Sequence, residues 1–222
     1  MQTSAPDIYA VGDAAELTSR ITGDQTALAL AGPASRQGRV VADHIAGRDV
    51  SFNGVIGTSV VKIFDLTVAS VGMNTHQLES EELPFKNVII HASNHAGYYP
   101  GASPMAFKLL FSPEGKIYGA QAVGVDGVEK RIDVVATAIQ ARMSVFDLEE
   151  LELAYAPPYS SSRDPVNIIG FTAANVLRGD AKVMYWDEIN KLDQHEVTIV
   201  DVRLPEEMGL GMIDSAINIP LQ

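Results

Sequence analysis

Two tyrosine-bearing segments carry the side chains of this sequence that are best suited to proton transfer. They read Asn-His-Ala-Gly-Tyr-Tyr-Pro-Gly, with Tyr98 and Tyr99, and Ala-Tyr-Ala-Pro-Pro-Tyr-Ser-Ser, with Tyr155 and Tyr159. The paired prolines of the second segment favour a rigid, extended backbone that cannot pack as a helix. A tyrosine hydroxyl, with a pKa of about 10, stays protonated at neutral pH and can donate a hydrogen bond to an anion. The alternative is that all four are surface aromatics whose hydroxyls face water.

Gly12-Asp13-Ala14 is a second candidate, because it directly follows the apolar run at residues 8–11. The run predicts a short strand, and the alanine-rich sequence after it predicts a helix start. Asp13 would then lie at the tip of the strand, where backbone N–H groups point outward. A simple Gly-Asp turn at the end of a strand is the alternative.

Two basic residues, Lys130 and Arg131, could meet the phosphates of a ligand, or they could be solvated charges on a helix. The five histidines show no metal-ligand spacing. His91 and His95 are four apart, but one ends a predicted strand and the other lies in a loop, so no metal site is predicted. The chain has no cysteine, which excludes a disulfide, a thiolate metal site and a redox thiol of its own.

The composition argues against two classes of partner. A formal net charge of −12 over 222 residues makes nucleic acid and anionic membranes unsuitable as main partners. No apolar run approaches the roughly 18 residues that cross a membrane. We therefore expect a globular protein of one large or two small domains, and the lack of cysteine favours a cytoplasmic location.

The elements that would carry these residues predict an α+β unit. Residues 60–71 and 88–91 favour strands, and a hairpin is predicted between 106–111 and 116–123 through the turn Ser-Pro-Glu-Gly. Capping and periodicity predict helices at 33–46, from Asn74, at 128–141, at 144–151, and from Pro165 to Gly179. We expect an antiparallel sheet with helices largely on one face.

The C-terminal tail has a different pattern. It predicts a short helix at 186–192, a buried strand at 197–202 and an extended piece at 216–220. The predicted boundaries are 1–50 for an N-terminal segment, 51–179 for the α+β domain and 183–222 for the tail.

Residues 3–13, Thr-Ser-Ala-Pro-Asp-Ile-Tyr-Ala-Val-Gly-Asp, resemble the second flavin motif of the pyridine nucleotide–disulfide oxidoreductases. The resemblance implies that Asp13, with Gly12 and Ala14 beside it, hydrogen-bonds the ribityl chain of FAD. It also implies that the following helix N-terminus faces the flavin pyrophosphate. That family carries the motif after two glycine-rich dinucleotide fingerprints, so we expect residues 1–50 to be the tail of an FAD-binding domain in a longer enzyme.

Both tyrosine segments are similar to loops of the coenzyme A disulfide reductase and NADH oxidase branch of that family, and the match continues through 164–170. The resemblance implies that residues 51–179 are a dimerisation domain. It further implies that Tyr98 and Tyr155 are catalytic interface tyrosines, which hydrogen-bond or protonate the departing thiolate in the partner subunit's active site. Substrate binding would fall to Tyr99, Tyr159, Lys130 and Arg131.

Residues 198–207 and 213–220 resemble the opening half of a rhodanese-like domain, with Met212 where members usually carry histidine. The resemblance implies that Asp201 and Arg203 build the fold around an active loop. The cysteine of that loop, which accepts sulfane sulfur, would lie beyond Gln222. We expect this incomplete α/β segment of roughly forty residues not to fold alone.

Together these resemblances imply part of an FAD-dependent NAD(P)H:disulfide or persulfide oxidoreductase that works as a homodimer. Its substrate would be coenzyme A disulfide, coenzyme A persulfide or polysulfide. The chain has no Gly-x-Gly-x-x-Gly sequence, so we expect it to hold no FAD and to be inactive by itself. The alternatives are an NADH oxidase or peroxidase of the same fold, and a non-catalytic dimerisation module.

Overall fold

The computed structural model describes residues 1–193 and 196–221 and divides into two compact units, Met1–Ala181 and Lys182–Gln222. The first unit begins with a 3-10 helix at Gly12–Ala14. A small hairpin follows, with strands β1 (Leu17–Thr18) and β2 (Gln25–Thr26), and then helix α1 (Ala31–Ile45). The helix predicted at 33–46 is therefore confirmed.

The strand predicted at residues 8–11 is wrong. Among the described residues, this segment makes only an isolated bridge between Tyr9 and Gln2, and Ile8 and Val11 are both exposed. A strand needs a neighbouring strand to satisfy its N–H and C=O groups, and this segment has too little pairing to form one. The chain after Ala14 is also not a helix, because it continues as extended backbone into β1.

A five-stranded antiparallel sheet forms the centre of the first unit. Its strands are β3 (Ser59–Ile63), β4 (Leu66–Gly72), β5 (Lys86–Ser93), β6 (Pro104–Phe111) and β7 (Ile117–Gly124), in the order β3-β4-β7-β6-β5. Helix α2 (Thr75–Ser80) lies between β4 and β5, and Asn74 and Gln77 form its capping box. The predicted antiparallel sheet and its 112–115 turn are thus confirmed.

The strand-like region predicted at 60–71 is two strands rather than one. Ile63 pairs with Leu66, and Phe64 turns the chain with a left-handed φ of 49°. The apolar pattern runs through both strands, which is why it did not mark the turn. The residues of β3 are all exposed.

Three helices complete the first unit: α3 (Val128–Gln140), α4 (Val145–Glu150) and α5 (Pro165–Arg178). α3 packs against β4 and β7, and α5 packs against β5, β6 and α4. The core between helices and sheet includes Val71, Phe107, Leu109, Ala120, Ile132, Val135 and Ile169, all buried. This arrangement confirms the predicted α+β fold.

Caps fix where the last helices begin and end. Ser144 and Asp147 form a capping box at α4, and the Asp164 side chain accepts a hydrogen bond from the Val166 N–H at the start of α5. α5 ends at Gly179 in a left-handed conformation. The Asp164 cap ends the loop 151–164 between α4 and α5, and a second loop, 94–103, connects β5 to β6. These two loops carry the tyrosine segments.

The second unit contains little regular structure. It has 3-10 helices at Trp186–Lys191 and Pro205–Leu210 and a parallel pair of short strands, β8 (Val200–Asp201) and β9 (Ile217–Asn218). The buried strand predicted at 197–202 is wrong in length and burial, because Val197, Val200 and Val202 are all exposed. Two strands this short cannot cover an apolar face.

No helix of the described chain is long and apolar enough to cross a membrane.

Candidate functional site

The two tyrosine loops meet at the surface of the first unit. The hydroxyl oxygens of Tyr98 and Tyr155 lie 3.3 Å apart and share a hydrogen bond, although the residues are 57 positions apart in the chain. Both side chains are exposed, at 78% and 49%. The structure therefore brings together the two tyrosines that the sequence singled out, and leaves their hydroxyls accessible.

Backbone hydrogen bonds hold the loops in this arrangement. The Ala96 N–H donates to the Ser160 carbonyl at 2.9 Å, which joins one loop to the other. Within each loop, Tyr99 N–H donates to the Ala96 carbonyl and Tyr159 N–H to the Ala156 carbonyl, so each loop closes a tight turn. Neither tyrosine segment is helical, as the paired prolines predict for the second one. The extended backbone predicted there is wrong at residues 157–159, where the chain turns and the Tyr159 N–H bonds to the Ala156 carbonyl.

The hydrogen bond with Tyr98 raises the pKa of Tyr155 above its ordinary value, with smaller contributions from partial burial and from charge repulsion if Tyr98 ionises. The protonated form of Tyr155 is the one that this contact stabilises. Tyr155 is therefore a neutral hydroxyl at physiological pH, and it can donate a hydrogen bond or a proton to an anion.

The other two loop tyrosines have different surroundings. Tyr99 packs edge-on against the buried His95, with ring centroids 5.7 Å apart. Tyr159 is largely exposed, and its backbone carbonyl, rather than its hydroxyl, meets Arg131. Both stay predictions as substrate-binding residues.

The prediction that Arg131 meets a ligand phosphate is corrected by its burial. Its side chain is 2% exposed and pairs with the Asp164 carboxylate, with Nη2 2.9 Å from Oδ2. The remaining donors bond to the carbonyls of Asn94 and Gly127. The signal for this burial was in the helical spacing, because residue 131 lies three positions after Val128 and four before Val135 on the buried face of α3. Lys130 is exposed on α3 and stays a prediction for phosphate binding.

A cluster of arginines that the sequence reasoning missed offers positive charge elsewhere in the first unit. Arg20, Arg36 and Arg39 line a shallow cavity of about 350 Å³, together with Phe52 and Gln140. Arg39 also pairs with Asp43 on the same helix, with Nε and Oδ2 2.8 Å apart. Arg36 and Arg39 are three positions apart on the predicted helix, so the sequence indicated that they are neighbours on its surface. A local cluster of positive charge is unusual in a chain of net charge −12.

Gly12 and Asp13 lie beside α1 rather than at a strand tip. Gly12 has a φ of 75°, and its N–H donates to the Oε1 of the buried Gln37 at 2.6 Å. Asp13 is exposed, and the N-terminus of α1 at Leu30 has no side-chain cap. The accessible Asp13 carboxylate suits a ligand hydroxyl. The start of α1 has uncapped N–H groups, which suit a ligand phosphate.

The described residues contain no group of three or more potential metal-ligating side chains. His91 ends up on strand β5 and His95 in the first tyrosine loop, while His195 lies outside the described residues.

Residues 58–165 match the family model of the pyridine nucleotide-disulphide oxidoreductase dimerisation domain. A coenzyme A disulfide reductase of Staphylococcus aureus (strain bovine RF122 / ET3-1) is 41% identical over 175 residues, which are 78% of this chain and 40% of that protein. The chain thus spans about two fifths of the length of this curated relative.

Two solved structures resemble the chain over nearly its whole length. Reduced CoADR-RHD of Bacillus anthracis is 50% identical with a TM-score of 0.92, covering 97% of this chain and 39% of that one. An NAD-dependent persulfide reductase from A. fulgidus is 39% identical with a TM-score of 0.91, covering 99% of this chain and 40% of that one.

Proposed function

Because the chain belongs to the pyridine nucleotide-disulphide oxidoreductases through its dimerisation domain at residues 58–165, we propose that it is the C-terminal part of a flavin-dependent disulfide or persulfide reductase. The substrate is coenzyme A disulfide, coenzyme A persulfide or polysulfide, and NAD(P)H is the electron donor. Residues 1–50 are the tail of an FAD-binding domain, 51–179 the dimerisation domain and 183–222 the start of a rhodanese-like domain.

The observation that carries the proposal is the hydrogen bond between Tyr98 and Tyr155. When a thiolate attacks a disulfide or persulfide, the S–S bond breaks and the departing sulfur takes the bonding electron pair as a thiolate. A neutral hydroxyl within hydrogen-bonding distance lowers the cost of that charge. Tyr155 turns its hydroxyl hydrogen from Tyr98 to the departing sulfur, and Tyr98 then donates to the Tyr155 oxygen and keeps it in place, since either hydroxyl can be the donor in their contact.

The exposure of both hydroxyls supports their use by a second subunit. Both side chains lie at the surface of the first unit, and neither lines the cavity with the three arginines. A dimerisation domain presents such a surface to its partner, and a symmetric dimer then completes two equivalent sites.

FAD supplies the electrons for this chemistry when it is bound. The residues of this chain that would hold it are Asp13, through the ribityl hydroxyls, and the start of α1, through uncapped N–H groups. Gly12 keeps the backbone turn in a left-handed conformation that leaves room for a ligand. The adenosine end needs a glycine-rich fingerprint, and that part of the site is not in this sequence.

Positive charge in the first unit supports a coenzyme A substrate, whose phosphates need cations. The cavity lined by Arg20, Arg36 and Arg39 is the stronger candidate, since three guanidinium groups share it. Lys130 is the weaker one, because it stands alone on the surface of α3.

The second unit supports a rhodanese-like start through its Asp201–Arg203 arrangement. Arg203 Nη2 lies 2.6 Å from Asp201 Oδ2 and also donates to the Gly211 carbonyl at 2.8 Å. Asn218 donates to the carbonyls of both residues and ties β9 to β8.

The test uses Tyr155→Phe and Tyr98→Phe in a protein that joins this chain to the flavin and dinucleotide regions present in its relatives. Tyr155→Phe should lower turnover of coenzyme A disulfide or persulfide by about 100-fold, while stopped-flow reduction of the flavin by NADH stays unchanged. Tyr118→Phe, which removes a hydroxyl from β7 outside both loops, is the matched control. Equal losses in both half-reactions would remove Tyr155 from the leaving-group role. Rapid consumption of O₂ with no sulfur reduction would instead identify an oxidase.

A further inference from the structure

The distance between Tyr98 and Tyr155 depends on loops that have no regular secondary structure. Residues 94–103 connect β5 to β6, and 151–164 connect α4 to α5. The hydroxyl contact itself is exposed and cannot hold the loops, because an exposed hydrogen bond contributes little net stability. The Ala96 N–H to Ser160 carbonyl bond joins the loops at one point, and a single bond of this kind leaves their relative rotation to other buried contacts beneath them.

Arg131 occupies that place. It projects from the first turns of α3 and is 1% exposed. Nη2 donates to the Asn94 carbonyl at 2.7 Å, where the first loop begins. The same atom lies 3.3 Å from Ser160 Oγ and 3.4 Å from the Tyr159 carbonyl, where the second loop turns. One guanidinium group therefore contacts the backbone or side chains of both loops.

Asp164 makes the burial of this cation possible. Its carboxylate meets Arg131 through two hydrogen bonds, Nε to Oδ1 at 3.3 Å and Nη2 to Oδ2 at 2.9 Å. Ser160 Oγ donates to Asp164 Oδ2 at 2.7 Å, so the second loop is held by both partners of the ion pair. Asp164 also caps α5, which fixes the pair relative to the sheet and helices.

The first loop is held at several points as well. Asn94 Oδ1 accepts from the Ser103 N–H at 2.8 Å, which closes the base of the loop. Asn94 Nδ2 lies 3.2 Å from Asp126 Oδ2 on the approach to α3. The Asn94 carbonyl thus stands in a fixed position when Arg131 bonds to it.

We propose that Arg131 is a positioning residue that sets the distance between the Tyr98 and Tyr155 hydroxyls by bonding to both tyrosine loops at once. A planar guanidinium has five donors in a fixed fork, whereas a lysine ammonium has three on a flexible stem. Lysine at this position keeps the positive charge beside Asp164 but cannot reach the two loops together. The importance of this positioning for turnover rests on the proposed function.

The direct test needs no turnover. In the 222-residue chain labelled with ¹³Cζ-tyrosine, Arg131→Lys should move the Tyr155 resonance towards its position in Tyr98→Phe, because both changes break the hydroxyl contact. Arg178→Lys is the matched control: Arg178 also forms a two-point pair with a carboxylate, Glu149, but contacts neither tyrosine loop. A Tyr155 resonance that Arg131→Lys leaves unchanged would overturn the proposal.

Ser160→Ala covers the case in which Arg131→Lys does not fold. It keeps the ion pair and removes only the hydroxyl that links Asp164 to the second loop. We expect a smaller shift of the Tyr155 resonance in the same direction. No shift in this folded variant contradicts a positioning role for the network.

Turnover in the protein with its flavin and dinucleotide regions separates this inference from the proposed function. Arg131→Lys alone should lower turnover by about 10-fold or more. In the double variant with Tyr155→Phe, it should lower turnover less than about threefold below that of Tyr155→Phe alone, since both changes act through the same hydroxyl. If the two losses of turnover multiply in the double variant, Arg131 has a general structural role and the positioning role is overturned. If the resonance shifts but no tyrosine variant alters turnover, the positioning holds and the proposed function fails.

Discussion

Ser160 donates a hydrogen bond of 2.7 Å to Asp164, the residue that both caps α5 and pairs with Arg131. A loop, a helix start and a buried cation therefore share one carboxylate. Loss of the negative charge of Asp164 leaves the Arg131 cation unpaired, whereas an oxygen at the same place can still accept the Val166 N–H that caps α5.

Asp164→Asn should destabilise the chain by about 3–5 kcal/mol, because it leaves Arg131 charged and unpaired in the interior. The side chain keeps its size and can still cap α5, so the loss measures the charge. Urea unfolding of the 222-residue chain gives the value. The comparison is Arg39→Gln, which breaks the pair between Asp43 and an Arg39 side chain that is 73% exposed, and should cost far less, because an exposed ion pair contributes little to stability. Equal destabilisation by the two variants would show that burial of an ion pair does not determine how much its loss destabilises the chain.

Tyr98→Phe should lower the pKa of Tyr155 towards its ordinary value. The hydrogen bond with Tyr98, when the Tyr155 hydroxyl is its donor, stabilises protonated Tyr155 and is the largest cause of its raised pKa. Since a raised pKa means that the folded state favours the proton, this contact stabilises the fold below the ordinary tyrosine pKa and the stabilisation is lost as the pH rises through the raised one. A ¹³Cζ-tyrosine titration follows the change, and Tyr99→Phe, in the same loop, should leave Tyr155 unaltered.

Gly119→Ala should destabilise the chain by about 3 kcal/mol, because the added methyl group would collide with the backbone of Val71 and Met73 across the strand pair. Gly38→Ala should instead stabilise the chain. Gly38 lies in α1 with open space around its Cα, and alanine there should stabilise the helix by about 0.5–1 kcal/mol. Thermal unfolding of both variants checks the pair, and a stabilised Gly119→Ala protein would show that the sheet can adjust.

The purified 222-residue chain should show no flavin absorbance after incubation with FAD. It offers Asp13 and the start of α1 to the flavin, but no glycine-rich fingerprint for the adenosine end. An absorbance scan across the flavin bands after gel filtration is sufficient. A stoichiometric flavin spectrum would mean that the residues of this chain bind FAD without that fingerprint.

Local signals in the sequence predicted the sheet and its helices well. The turn at 112–115, the Asn74–Gln77 capping box and the Asp164-Pro165 helix start each depend on neighbours in the chain, and the structure has all three. Motif resemblance singled out Tyr98 and Tyr155 as interface tyrosines but did not predict that their hydroxyls meet, which is a finding of the tertiary structure.

The errors have a common cause. Helical spacing places Arg131 on the buried face of α3, but Asp164, the carboxylate that pairs with it, lies 33 residues further along the chain. The segment 8–11 has the composition of a strand but makes only an isolated bridge to Gln2 among the described residues. The partners of a buried charge and of a strand lie in distant parts of the chain, and a local sequence pattern does not identify them.

The Tyr98–Tyr155 contact closes over 57 residues, and the Arg131 bonds to Asn94 and Asp164 close over 37 and 33. Hairpins such as β6–β7 close over far shorter stretches and form with a smaller loss of chain entropy. The sheet is not local throughout, because β4 pairs with β7 from Thr67–Gly124 to Gly72–Gly119, over 57 to 47 residues. We therefore expect a probe at Tyr155 to respond with the long-range closure that completes the centre of the sheet, and to distinguish that state from one that has only its local hairpins.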